Sequence, residues 1–107
     1  MSEDIMIKIK DDVTNNAVVL YMKGNKNMPY CGFSAAVCGI LNSIGIEYVD
    51  FDILQDAELR DAIKVYSDWP TIPQLYIKGE FIGGCDIVKE MHASGELVEL
   101  LKRHELV

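Results

Sequence analysis

Hydrophobic residues recur first at helical spacing and then in an unbroken run. Ser2 is a candidate N-cap for a first helix that keeps its apolar residues on one face as far as Val13. The run AVVLYM at 17–22 is typical of a central strand covered on both faces. From Gly32 helical spacing returns, and Gly45 ends this second predicted helix. The residues expected on its inward face are Phe33, Val37, Ile40, Leu41 and Ile44.

The rest of the chain predicts a further strand, a hairpin and three helices. Residues 47–53 alternate in polarity, as a half-buried strand does. Asp56 is a candidate cap for the next helix, and the segments QLYI and EFIG, joined around Lys78, predict a hairpin. Asp86 is expected to cap a fourth helix, and Ser94 a last one.

This order of elements predicts an α/β fold. A right-handed β-α-β unit followed by a hairpin gives a small mixed four-stranded sheet with helices on both faces. The 107 residues contain no repeat or linker, so a single domain over 1–107 is expected. The first parallel pair places the 23–33 loop at the carboxyl end of a strand, where α/β sheets bind their ligands.

Charge and composition narrow the classes of partner and compartment. A net charge of −7 disfavours nucleic acid and anionic membrane surfaces as partners. No apolar run approaches the roughly 20 residues of a membrane span, and the N-terminus resembles neither a secretory signal nor a transit peptide. Three cysteines make a poor disulfide framework and fit a reducing compartment. We expect a cytoplasmic location of the bacterial type, or the mitochondrial matrix if a transit peptide was removed.

Cys31 is the leading candidate for a reactive or metal-binding thiol. It stands where the second helix begins, and exposed N–H groups at a helix N-terminus stabilise a thiolate. Lys23, at the end of the first strand, adds positive charge nearby. A buried, inert cysteine is the alternative, and it is disfavoured by Pro29 and Gly32, which suit close approach of the backbone to a ligand.

Ser34 occupies the position at which a two-cysteine redox site would carry its second thiol. A mixed disulfide on Cys31 must therefore be resolved by an outside thiol, and glutathione is the abundant one. Cys38 follows Cys31 by almost two helical turns, about 10.5 Å of rise, which exceeds the Cα separation of a disulfide. We interpret Cys38 as a packing residue and leave the role of Cys85 open.

Three other segments carry candidate ligand-binding groups. In WPTIPQ, Pro73 precedes a predicted strand, and a proline at such a position is often cis. A cis bond presents the backbone of the preceding residue, so Thr71 and Ile72 would offer their N–H and C=O groups to an extended ligand. The turn GGCD at 83–86 suits an anion nest, although a tight turn with a helix cap explains it equally well. Arg60 and Lys64 share one helix face and form either a basic patch or a solvated surface.

Taken together, these motifs resemble one known family. CGFS at 31–34, Lys23 eight residues before it, WPTIPQ and GGCDI resemble the monothiol glutaredoxins of the CGFS class, from about residue 5 to 104. The resemblance implies a thioredoxin-like fold. It also implies that Lys23 and Arg60 bind the glycine carboxylate of glutathione and that the backbone of Ile72 pairs with its cysteinyl part. The full glutathione site it implies comprises Lys23, Arg60, Lys64, Thr71, Ile72, cis Pro73, Gly84, Cys85 and Asp86.

The resemblance further implies a [2Fe-2S] cluster held between two protomers, a role in iron–sulfur assembly and delivery, and BolA-like partners. Counting ligands leads to the same arrangement, because such a cluster takes four thiolates and each protomer offers Cys31. Two glutathiones would supply the rest. The alternative is an oxidoreductase that reduces protein–glutathione mixed disulfides through Cys31. A pure interaction adaptor is a third hypothesis.

Overall fold

A mixed four-stranded sheet forms the centre of the computed structural model, which describes residues 2–107. The strands of this sheet are β1 (Val18–Met22), β4 (Val49–Asp52), β5 (Gln74–Ile77) and β6 (Glu80–Gly83). Two further strands, β2 (Gly24–Asn25) and β3 (Met28–Pro29), pair only with each other. The helices are α1 (Glu3–Asn15), α2 (Gly32–Ile44), α3 (Ala57–Ser67), α4 (Cys85–Ser94) and α5 (Glu96–Arg103). The sheet has the order β4-β1-β5-β6, with β1 parallel to β4 and antiparallel to β5. The predicted α/β architecture is confirmed.

The central strand β1 is buried throughout and separates two hydrophobic clusters. Leu20 and the other β1 residues that share its face of the sheet pack with α2, α4 and α5. Val19 and Tyr21 on the other face pack with α1 and α3. The continuous apolar run therefore arises because helices cover both faces of this strand.

Side-chain caps and glycines end the helices where the sequence predicts. The Ser2 hydroxyl accepts the N–H of Ile5 at 3.3 Å and caps α1. The Asp56 carboxylate accepts two N–H groups of the first turn of α3, at 3.0 and 3.2 Å. Gly45 adopts φ +83° and ends α2 in the left-handed conformation that favours glycine. None of the helices in residues 2–107 has the length and apolar character of a membrane span.

Two predicted caps in the last third of the chain are wrong. Helix α4 begins at Cys85 with Gly84 as its N-cap, so Asp86 lies inside the first turn and accepts no capping bond. Glycine suits this turn, because a Cβ on Gly84 would lie 3.3 Å from the Pro73 carbonyl oxygen, a tight contact. Gly95, rather than Ser94, is the N-cap of α5, although the Ser94 hydroxyl accepts the N–H of Glu96 at 3.3 Å.

The segment between β1 and α2, predicted as a loop, contains the short hairpin β2–β3. Carboxylates from β4 hold it: Asp52 accepts the Gly24 N–H at 2.9 Å, and Asp50 accepts the Lys26 N–H at 2.8 Å. The Lys26 ammonium also donates to the Tyr48 carbonyl. Gly24 has φ +84°, and a Cβ there would collide with the backbone of the opposite strand. The hairpin leads directly into Cys31.

Candidate functional site

A cleft of about 690 Å³ opens where β1 ends and α2 begins. It is formed by the start of α2, the outer part of α3, the loop before β5 and the start of α4. Every residue predicted to form the site lines this cleft: Lys23, Cys31, Arg60, Lys64, Thr71, Ile72, Pro73, Gly84, Cys85 and Asp86. The structure thus brings together segments that lie far apart in the sequence.

Cys31 is the N-cap of α2 and is partly exposed in the cleft. The backbone N–H of Ser34 lowers the pKa of the Cys31 thiol most, and the Phe33 N–H, the Lys23 charge and the Ser34 hydroxyl lower it further. Burial acts in the opposite direction but does not outweigh them. The helix start therefore favours a thiolate, the form that attacks disulfides and binds metals.

The Ser34 side chain has a structural role that the sequence did not reveal. It is fully buried, and its hydroxyl oxygen accepts the N–H of Lys23 at 3.1 Å. This bond ties the end of β1 to the first turn of α2. The hydroxyl at this position therefore supports the thiolate and fastens the loop.

The other two cysteines are buried. Cys38 is 2% exposed, its sulfur lies 3.6 Å from the Met22 sulfur, and burial raises the pKa of its thiol. The prediction that Cys38 is a packing residue is confirmed. Cys85, the first residue of α4, lines the same cleft as Cys31.

The loop before β5 presents peptide groups to the cleft. The Ile72–Pro73 bond is cis, as predicted. Within residues 2–107, neither the N–H nor the carbonyl of Ile72 takes part in a backbone hydrogen bond. Gly84 lies close to the Pro73 carbonyl, and both residues line the cleft. This arrangement suits an extended peptide that pairs with the Ile72 edge.

Positive charge enters the cleft from two elements. Lys23 follows β1, and Arg60 and Lys64 come from α3. The Arg60 Nε lies 3.6 Å from an Asp61 carboxylate oxygen, and because both side chains are about half exposed or more this ion pair is weak. Arg60 and Lys64 both line the cleft, and their binding of a ligand there stays a prediction.

A glutaredoxin family model matches residues 18–82 of the chain. The chain belongs to the glutaredoxin family. It is 55% identical over 96 residues to the probable monothiol glutaredoxin 2 of Rickettsia conorii, an alignment that covers 90% of each chain. The resemblance drawn from the CGFS, WPTIPQ and GGCDI motifs is thereby confirmed, and the chain is placed among the monothiol glutaredoxins.

Solved structures of other glutaredoxins share its fold. A truncated monomeric mutant of Trypanosoma brucei 1-C-Grx1 superposes with a TM-score of 0.88 at 39% identity, covering 95% of this chain and 93% of that one. A buckwheat glutaredoxin, solved in complex with glutathione, has a TM-score of 0.86 at 26% identity and covers 100% and 99% of the two chains. The thioredoxin-like fold of this glutaredoxin is therefore established.

The cleft also contains residues that the motifs did not indicate. Phe33 was expected on the inward face of α2 but is 61% exposed and lines the cleft, because the buried face of α2 is formed by Ser34, Val37, Cys38 and Leu41. Leu54 and Trp69 add further apolar surface. The side chains newly assigned to the lining are Phe33, Ile53, Leu54, Asp61, Trp69, Pro70 and Ile87. In the part of the chain that is described, no three His, Cys, Asp or Glu side chains are grouped to hold a metal ion.

Proposed function

We propose that this monothiol glutaredoxin carries a glutathione-ligated [2Fe-2S] cluster shared between two protomers. One observation supports this most directly. Cys31 is the only one of the three cysteines that is not buried, its pKa is lowered, and a fully buried serine stands where a second thiol would be. Such a site offers one thiolate to a metal and cannot close a disulfide with Ser34.

The cleft matches the ligand that would complete the cluster. Glutathione is an extended tripeptide with two carboxylates, and the cleft offers Lys23, Arg60 and Lys64 together with the start of α4. The free peptide edge of Ile72 suits the cysteinyl part. The glutathione thiol would then lie beside Cys31. Two protomers and two glutathiones supply the four thiolates that a [2Fe-2S] cargo takes.

The second candidate function is reduction of protein–glutathione mixed disulfides. The lowered pKa of Cys31 favours it. The Cys31 thiolate would attack the glutathione sulfur, forming a Cys31–glutathione disulfide and releasing the protein thiol. A second glutathione thiolate would attack that disulfide, restoring Cys31 and releasing glutathione disulfide. Each turnover thus consumes one free glutathione thiol, and the glutathione of the substrate becomes the other half of the glutathione disulfide.

Anaerobic reconstitution with iron, sulfide and glutathione separates the two functions. The carrier predicts a brown dimer with visible absorption, which the Cys31→Ser variant does not form. The Cys38→Ser variant is the matched control and should retain the cluster. With dithiothreitol as the only small thiol, the cluster should be much less stable.

A normal cluster spectrum in Cys31→Ser would overturn the assignment of the ligand. A colourless monomer that rapidly turns over a glutathionylated peptide would favour the oxidoreductase instead.

We further propose transfer of the cluster to apo iron–sulfur proteins and association with a BolA-like protein, in a bacterial-type cytoplasm or the mitochondrial matrix. The single accessible thiol of Cys31, with serine at position 34, supports a carrier of this kind. Mixing the cluster-loaded dimer with a purified BolA-like protein tests the association. An unchanged visible circular dichroism spectrum and an unchanged elution volume would contradict it.

A further inference from the structure

Gln74 is a buried polar residue at the start of β5, beneath the loop that lines the cleft. It is fully buried, although the strand around it is otherwise apolar. Its Nε2 donates to the carbonyls of Trp69 and Thr71, both at 3.2 Å. Its Oε1 accepts the hydroxyl of Tyr76 at 3.2 Å. Both N–H groups of the Gln74 amide thus donate to the loop, and its carbonyl oxygen is held by Tyr76 in the core.

These bonds decide which groups of the loop remain available. The Thr71 carbonyl points to Gln74, and the Trp69 N–H donates to the Lys64 carbonyl at 3.1 Å. The Ile72 peptide, by contrast, has no backbone partner in residues 2–107. Gln74 therefore holds the loop just ahead of Ile72, which lines the cleft with its own N–H and carbonyl left without a backbone partner. A buried amide held by three hydrogen bonds is well suited to this task, because each bond restricts its rotamer.

We propose that Gln74 is a positioning residue that holds the 69–73 loop in the shape in which the Ile72 peptide can pair with glutathione. This inference rests on the proposed glutathione site and adds a residue to it that does not contact the ligand. Without the two amide donors, the Trp69 and Thr71 carbonyls lose their partners and the loop samples other conformations. Ligand binding must then restore the order, which lowers affinity.

Trp69 provides a direct readout, because it is the only tryptophan in the chain and lies in this loop. The test compares Gln74→Met, which removes the amide at similar volume, with Tyr76→Phe, which removes only the anchoring hydroxyl. Gln74→Met should bind glutathione about tenfold more weakly by calorimetry, as the loss of one or two hydrogen bonds implies. Its Trp69 emission and anisotropy should change in the folded state, before any thermal unfolding. Tyr76→Phe keeps both amide donors on the loop carbonyls, so it should lose much less affinity and change the Trp69 emission much less than Gln74→Met does.

A folded Gln74→Met variant with unchanged affinity and unchanged Trp69 emission would overturn the proposal, because a purely stabilising role lowers only the melting temperature. Gln74→Met leaves the Tyr76 hydroxyl without its acceptor. If Gln74→Met does not fold, the double variant Gln74→Met with Tyr76→Phe removes this hydroxyl as well and is tested instead. The wild-type protein gives a test without any substitution. The side-chain NH2 of Gln74 should exchange slowly with solvent in NMR spectra, and rapid exchange contradicts the proposal.

The two proposals fail in different ways. If the wild-type protein does not bind glutathione, the proposed function fails, whereas the Trp69 emission still reports whether Gln74 holds the loop. If the wild-type protein binds and the Gln74 variants bind equally well, only the positioning role is wrong.

Discussion

Replacing Ser34 with alanine separates the structural role of this residue from its effect on Cys31. The hydroxyl oxygen accepts the Lys23 N–H at 3.1 Å in a fully buried position. Alanine leaves that N–H without a partner, which costs about 1–3 kcal/mol of unfolding free energy. For a chain of this size, each kcal/mol lowers the melting temperature by about 4–8 °C.

The chemistry of the thiol should change much less. The largest cause of the lowered Cys31 pKa is the backbone N–H of residue 34, which alanine retains, and the Ser34 hydroxyl is the smallest. The Lys23 charge ranks above the hydroxyl. Ser34→Ala should therefore slow iodoacetamide alkylation near neutral pH less than Lys23→Gln does.

Urea unfolding and alkylation rates against pH measure the two effects. Ser43→Ala is the matched control, because Ser43 lies on the same helix but is exposed and its hydroxyl donates only to the Ile40 carbonyl at 2.7 Å. That variant should stay within about 0.5 kcal/mol of wild type. If Ser34→Ala is as stable as Ser43→Ala, the proposed tie between β1 and α2 is absent. If it slows alkylation more than Lys23→Gln, the hydroxyl rather than the helix start controls the thiol.

Three further predictions concern the cleft and the loop beside it. Lys23→Gln and Arg60→Gln should each weaken glutathione binding about tenfold by calorimetry, as loss of a charge-assisted hydrogen bond implies, but only Lys23→Gln should also slow alkylation of Cys31. The pKa of Cys31 in the folded protein lies below its ordinary value of 9.0. Ionisation of Cys31 therefore stabilises the folded state fully above pH 9.0, and this stabilisation is lost as the pH falls through the folded-state pKa. The stability advantage of wild type over Cys31→Ser should therefore grow toward pH 9.0, and a flat difference contradicts it. Gly24→Ala, at φ +84° and against the opposite backbone, should lower the unfolding free energy by more than about 1 kcal/mol, which thermal unfolding will show.

Local sequence signals were sufficient for most of the fold and for part of the cleft lining. Caps at Ser2 and Asp56 and the glycine at 45 act within a few residues of themselves, so their patterns are readable. The site residues come from motifs that the family resemblance links. The parallel pairing of β1 with β4 then explains why Cys31 lies at the ligand-binding edge of the sheet.

What the sequence did not show depends on contacts between distant residues. The β2–β3 hairpin consists of two-residue strands and is held by Asp50 and Asp52, which follow it by more than twenty positions. Phe33 fits the apolar spacing, but the buried face of α2 includes the polar Ser34, whose partner Lys23 lies eleven positions away, and apolar periodicity does not show this. Gln74 looks like an ordinary strand residue until the 69–73 loop folds over it.

The way Lys26 folds back along β4 has a consequence for aggregation. β4 is an edge strand, and such edges invite another chain to extend the sheet. Here the strand is only four residues long, carries Asp50 and Asp52, and has the carbonyl of the preceding Tyr48 occupied by the Lys26 ammonium. Short, charged and partly capped edges resist such pairing. A second copy of this protein is thus discouraged from extending the sheet along β4.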